Sequence, residues 1–182
     1  MPEAVIVATA RSPIGRAFKG SLKDIRPDDL TVQMIQAALA KVPQLDPSDV
    51  DDLMLGCGLP GGEQGYNMAR VVAVLLGLDG VPGTTVTRYC SSSLQTTRMA
   101  FHAIKAGEGD VFISAGVETV SRFVKGSSDS LPDTANPLFA GARAVRRSRP
   151  RAVRRCGAIR ARTATCPTST SRWGRPPRTW RR

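Results

Sequence analysis

Residues Thr84 to Gln95 read TTVTRYCSSSLQ, and the thiol of Cys90 is the candidate nucleophile among them. β-Branched residues lead into Arg88 and Tyr89, a serine-rich turn follows the cysteine, and LQTTRMAFHAIKAG then runs at helical spacing to Gly107. The pattern is strand, turn, helix, with the thiol at the elbow. A thiol at a helix N-terminus meets unpaired backbone N–H groups and the positive end of the helix dipole, and both favour the thiolate, which is the nucleophilic form. The competing reading is a small core residue, because free cysteine is often buried and inert. The local pattern leaves both open.

The other groups with chemical potential are few. His102 is the only histidine and lies twelve residues past Cys90 on the same helix, three turns away, so it reads as a structural or surface residue and not as a base. Cys57, Cys90, Cys156 and Cys166 form no CxxC pair, which argues against a zinc site and against a secreted disulfide framework. Gly56 to Gly61, GCGLPG, matches the spacing of a dinucleotide-binding loop, with Asp79 at the usual offset of a ribose-binding acid. That loop must open directly into a helix, however, and here Gly62 to Gly65 intervene and Pro60 sits inside the motif, so the stretch reads as a turn.

The elements that must hold the elbow alternate. Ala4 to Thr9, AVIVAT, is a continuous apolar run that predicts a strand buried on both faces. After a loop punctuated by glycine and proline, Asp28 and Asp29 precede a helix whose apolar positions are Leu30, Met34, Ala37, Ala38 and Val42, ended by Pro43 and Pro47. Asp51 to Cys57 predicts a second strand, Asn67 to Leu76 a buried apolar helix, and Thr84 to Arg88 the strand that delivers Cys90. A helix over about 91–106 capped by Gly107, then a strand over Asp110 to Ala115, complete the series. Lys125 to Asn136 is polar and reads as a loop. Such alternation predicts an α/β fold with a mostly parallel sheet and helices on both faces.

Several of these stretches together resemble the thiolases, the acyl-CoA C-acyltransferase branch of the condensing-enzyme superfamily. They are AVIVATARSPIGRAFKGSLKDIRPDDL (Ala4 to Leu30), GYNMARVVAVLLGL (Gly65 to Leu78), TRYCSSSLQT (Thr87 to Thr96), AIKAGEGDVFISAGVETVSR (Ala103 to Arg122) and NPLF (Asn136 to Phe139). Thr87 and Ser93 stand where Asn and Gly are common. Val117, Thr119 and Val120 depart from the family's Gly-Met-Glu-Ser-Met-Ser loop. A β-ketoacyl synthase is the nearest rival, since CSSSL also resembles its nucleophile motif, but Thr87-Arg88-Tyr89 is not that family's approach to the cysteine. The resemblance implies that Cys90 is the acylated nucleophile, that acyl-CoA and CoA are substrates with no permanently bound cofactor, and that the intact enzyme is a homo-oligomer. It also implies what is missing: the family's Gly-His-Pro histidine, second cysteine, Asn-Glu-Ala-Phe loop and CoA-binding loop domain have no counterpart here. The expectation is an N-terminal thiolase half over 1–140, inactive alone, with apolar helix faces open to association around Asn67 to Leu76 and after Cys90.

Charge divides the chain at the same place. The first 142 residues hold 12 basic against 15 acidic residues, a net of −3, whereas residues 143–182 hold 14 arginines and no acid. An arginine- and proline-rich run can neutralise nucleic-acid phosphates, which is one reading of 141–182. It lacks aromatic interleaving, and a second reading is favoured. Codons can be chosen for Gly157 to Arg181 so that the preceding frame gives RDPRADGDLPDVYIAMGQTAENVA, a string similar to thiolase sequence. Trp173, encoded only by TGG, then lands on the methionine of MGQTAEN. The tail is therefore expected to be out of frame and disordered, with no nucleic-acid partner. No segment has the roughly 18 apolar residues of a membrane span and no secretory signal pattern is present, so the expected location is cytoplasmic, away from membranes.

Overall fold

The computed structural model describes residues 2–123, 136–142 and 144. Readings that concern the loop from Lys125 or the tail beyond residue 144, the nucleic-acid reading and Cys156 and Cys166 among them, lie outside these residues.

A three-stranded parallel sheet carries the fold. β1 (Asp52–Gly56) lies in the middle, paired with β2 (Gly83–Val86) on one side and β3 (Phe112–Gly116) on the other. Asp51 fixes the start of the β1–β3 pair, its carboxylate accepting the N–H groups of Asp110 (2.7 Å) and Val111 (2.9 Å), which hold its pKa below the ordinary value. α2 (Met68–Leu75) carries the chain from β1 to β2, and α3 (Ser92–Ala106) carries it from β2 across to β3. The two crossovers run in opposite directions, so right-handed connections put α2 and α3 on opposite faces of the sheet, as the alternation predicts.

The core lies on the α2 face. Leu53, Leu55 and Cys57, alternate residues along β1, pack with Met68, Ala69, Val72 and Ala73 of α2 and with Ile35 of α1 (Pro27–Leu39). Gly56, on the opposite face, meets α3 so closely that a Cβ there would lie 2.4 Å from the Ser92 carbonyl carbon; at Gly116 it would lie 2.5 Å from Ser93 Cβ. Glycine at these two strand ends lets the first turn of α3 rest directly on the sheet. Gly107 closes α3 in the left-handed conformation (φ 75°), as its position in the sequence implies.

Three expectations are corrected. Ala4 to Thr9 is not a buried strand: no ladder partner reaches it among the described residues, and Val5, Ile6 and Val7 are 68–76% exposed. Two lysines from elsewhere in the chain hold the backbone near its ends, Lys105 Nζ donating to the Pro2 carbonyl and Lys41 Nζ to that of Thr9, each at 2.6 Å. Strand propensity needs a neighbour to pair with, and the described residues give it none. The buried face of α1 is likewise Asp28, Thr31 and Ile35, a different stripe from the predicted apolar positions. Asp28 is held on the buried side by Arg26 and Asn136. Lastly, α2 is covered by α1 and the sheet, so of the two helices expected to leave an apolar face open it is α3 that does, at Leu94 (71%) and Phe101 (46%).

Candidate active site

β2 ends at Val86, and the chain turns through Thr87 and Arg88 into a single 3₁₀ turn, Tyr89–Ser91, before α3 begins. Tyr89 occupies the left-handed region (φ 48°), an unfavourable conformation for a side chain of its size, which the surrounding bonds maintain. The Ser92 hydroxyl is one of these: it accepts the Arg88 N–H (2.9 Å) and donates to the Tyr89 carbonyl (2.6 Å). Cys90 is thereby presented as an exposed free thiol one residue ahead of the helix cap. The strand–turn–helix reading holds, and the alternative of a buried core cysteine does not.

Cys90 opens into a cleft of about 540 Å³ at the carboxyl ends of β1 and β3, walled by Gly56, Gly58, Tyr89, Gly116 and Glu118. In an open α/β sheet this is where ligands bind, outside the strand ends at the point where the strand order reverses. Gly56 and Gly58 belong to the stretch with dinucleotide spacing. That stretch does not open into a helix: a 3₁₀ turn (Gly62–Gln64) and Tyr66 intervene before α2, and Asp79 is exposed in the turn after it. His102 is on the surface of α3, against Phe101 and Arg98.

Two polar clusters, one at the cleft wall and one at the entry of α1, were not legible as clusters in the sequence. In the first, Glu118 Oε2 accepts the Gly58 N–H (2.7 Å) and its Oε1 accepts from Gln64 Nε2 (2.6 Å). Gln64 is buried, and it also donates to the Leu59 carbonyl (2.9 Å) and accepts the Thr119 N–H (2.8 Å). Thr87 Oγ1 donates to the Gly58 carbonyl (3.0 Å). Beneath this loop lies Cys57, 1% exposed, whose thiol is pushed up to about 11 by burial and then by the Glu118 charge 4.0 Å away. In the second cluster the buried Glu63 accepts from Arg26 (2.9 Å) and twice from Arg122 (2.6 Å), Arg26 grips Asp28 with two bonds of 3.1 Å, and Asn136 Nδ2 donates to Asp28 (2.8 Å). This cluster ties the NPLF segment and the loop after β3 to the entry of α1. Thr87, Glu118, Arg122, Arg26, Asp28 and Asn136 all lie in the thiolase-like stretches, but Glu63 and Gln64, on which the two clusters converge, lie in none of them. Among the described residues no group of His, Cys, Asp and Glu is arranged to hold a metal ion, and no helix is long and apolar enough to cross a membrane.

The thiolase N-terminal domain matches residues 4–137. A 3-ketoacyl-CoA thiolase of Bacillus subtilis is 46% identical over 123 residues, which are 67% of this chain and 31% of that protein. A 3-oxoadipyl-CoA/3-oxo-5,6-dehydrosuberyl-CoA thiolase of Escherichia coli is 44% identical over 133 residues, 71% of this chain and 33% of its own. Among solved structures, the Bacillus anthracis acetyl-CoA acetyltransferase superposes with a TM-score of 0.61 at 37% identity, over 66% of this chain and 30% of that one. This chain thus spans about a third of the length of these relatives. With the domain match covering the sheet, the elbow and the cleft alike, the chain belongs to the thiolase family.

Proposed function

We propose that Cys90 is the acyl-accepting nucleophile of an acyl-CoA C-acyltransferase, acting on acyl-CoA and CoA in the cytoplasm as part of a homo-oligomer. The observation that carries this reading is an exposed thiol on a strained turn, opening into a cleft at the carboxyl ends of β1 and β3, inside the thiolase-matched region. The Cys90 sulfur attacks the thioester carbonyl of an acyl-CoA, and a thioester to the enzyme forms as the carbon–sulfur bond to CoA breaks. A second acetyl-CoA, having lost an α-proton, attacks the acyl-enzyme carbonyl. The new carbon–carbon bond gives a 3-ketoacyl-CoA and frees Cys90; thiolytic cleavage is the reverse.

Each direction needs a base for the thiol and another for the α-proton. Within the 182 residues the one histidine, His102, faces solvent three turns from the elbow, which supports the reading that this chain alone has no thiolase turnover. We further propose that 1–140 is the N-terminal domain of an incomplete thiolase and 141–182 an out-of-frame tail; sequencing the gene through this region tests it, and an intact frame would end it.

The functional test joins residues 1–140 in frame to the C-terminal part of the Bacillus subtilis relative. The fusion is expected to cleave acetoacetyl-CoA with CoA, Cys90→Ser in it to lose at least about a thousandfold in rate, and the 182-residue chain to show none. Turnover that survives Cys90→Ser would refute the assignment.

A further inference from the structure

Glu118 and Thr87 take hold of one residue from opposite sides. Gly58 gives its N–H to the Glu118 carboxylate at 2.7 Å and receives the Thr87 hydroxyl on its carbonyl at 3.0 Å. Thr87 is the first residue after β2 and stands three positions before Cys90, Gly58 follows β1, and Glu118 follows β3. The three loops that wall the cleft are thus joined through a single glycine, where a Cβ would lie 2.7 Å from Glu118 Oε2. Gln64 closes the arrangement from behind, bonded to Glu118, Leu59 and Thr119 at once. The acyl-transfer steps above assign no role to either partner of Gly58; Thr87 leads from β2 into the elbow, and Glu118 reaches Gly58 from the end of β3.

Resting on the reading of Cys90 as nucleophile, we propose that Glu118 is a positioning residue: by clamping Gly58 against the elbow it fixes the wall facing Cys90 and keeps the neighbouring thiol, Cys57, shut out of the cleft. Two cysteines in one small region are a hazard for an enzyme that carries an acyl group on sulfur. Cys57 is adjacent to Gly58 in the chain and 1% exposed, whereas Cys90 is open, so lifting the Gly58 loop uncovers the wrong thiol. The charge on Glu118 reinforces the separation, because it disfavours a thiolate on Cys57.

The test uses the 182-residue chain and its E118A and E118Q variants. Amide exchange at Gly58 is followed by NMR, and iodoacetamide labelling of Cys57 and Cys90 by peptide mass spectrometry. In E118A, Gly58 exchange is expected to rise about tenfold, the scale of one charge-assisted hydrogen bond, and Cys57 labelling to rise with it, while Leu53 and Leu55 in β1 keep their protection. E118Q has one acceptor oxygen where Glu118 uses two, for the Gly58 N–H and for Gln64 Nε2. With that oxygen on Gly58 and the Gln64 bond lost, it is expected to slow Gly58 exchange and Cys57 labelling relative to E118A, yet shift the onset of Cys57 labelling to lower pH because the charge is gone. A purely structural prop would not produce that shift. If E118A also loosens β1, E118Q decides: protection at Gly58 supports the clamp, and exchange as fast as in E118A overturns it. Unchanged Gly58 exchange in a folded E118A chain overturns the role of Glu118 alone. A wild-type chain whose Cys57 labels as fast as its Cys90 removes the nucleophile reading as well.

Discussion

Cys57 and Cys90 show how environment assigns different chemistry to one side chain. Cys90 is exposed at the mouth of the cleft, whereas burial and Glu118 raise the Cys57 thiol from 9.0 to about 11. A proton held more tightly in the folded state than in the unfolded chain stabilises the fold fully below pH 9 and ceases to do so as the pH rises towards 11. The loss assigned to Cys57 is roughly 2–3 kcal/mol. Urea unfolding of the wild-type chain and Cys57→Ala at about pH 8 and about pH 10.5 is expected to show a shallower alkaline decline in the variant; parallel declines would contradict the assignment. Cys90 could be read from sequence because its signal is local, a strand running into a turn and a helix. The partners of Gly58 could not, because Thr87 and Glu118 are brought to it only by the parallel pairing of three strands.

At the scale of elements, the depth of α3 is set by two glycines and the entry of α1 by an ion cluster. Gly56→Ala would place a methyl 2.4 Å from the Ser92 backbone, so the helix end must move. The expected cost is about 1–3 kcal/mol in denaturant unfolding, typical of overpacking, together with slower labelling of Cys90. Glu63→Ala leaves the Arg122 guanidinium without the carboxylate it grips and deprives Arg26 of one of its two, and is expected to destabilise by about 3 kcal/mol. A loss under about 0.5 kcal/mol would show that solvent already screens this cluster. The three strands and three helices were legible because each carries its own period and punctuation. The face of α1 was not, since Asp28 is buried by Arg26 and Asn136, the latter 108 residues away in sequence. AVIVAT failed for the opposite reason: its composition reads as a buried strand, but burial belongs to the neighbours it is given.

Taken whole, the molecule leaves apolar surface uncovered. Val5, Ile6, Val7 and Ile14 of the N-terminal segment and Leu94 and Phe101 of α3 are all exposed, and the outer side of β3 has no strand partner among the described residues. Such surface drives association. Sedimentation of residues 1–140 is expected to show concentration-dependent self-association that weakens in Ile6→Lys and Leu94→Lys; a stable monomer would contradict it. The measurement that bears most directly on the account is the rate of iodoacetamide labelling at each cysteine of the native chain near neutral pH. Cys90 should label at least about tenfold faster than Cys57, as an exposed thiol beside a buried one whose pKa is raised. Equal rates, or a faster Cys57, would contradict the placement of the nucleophile at the elbow.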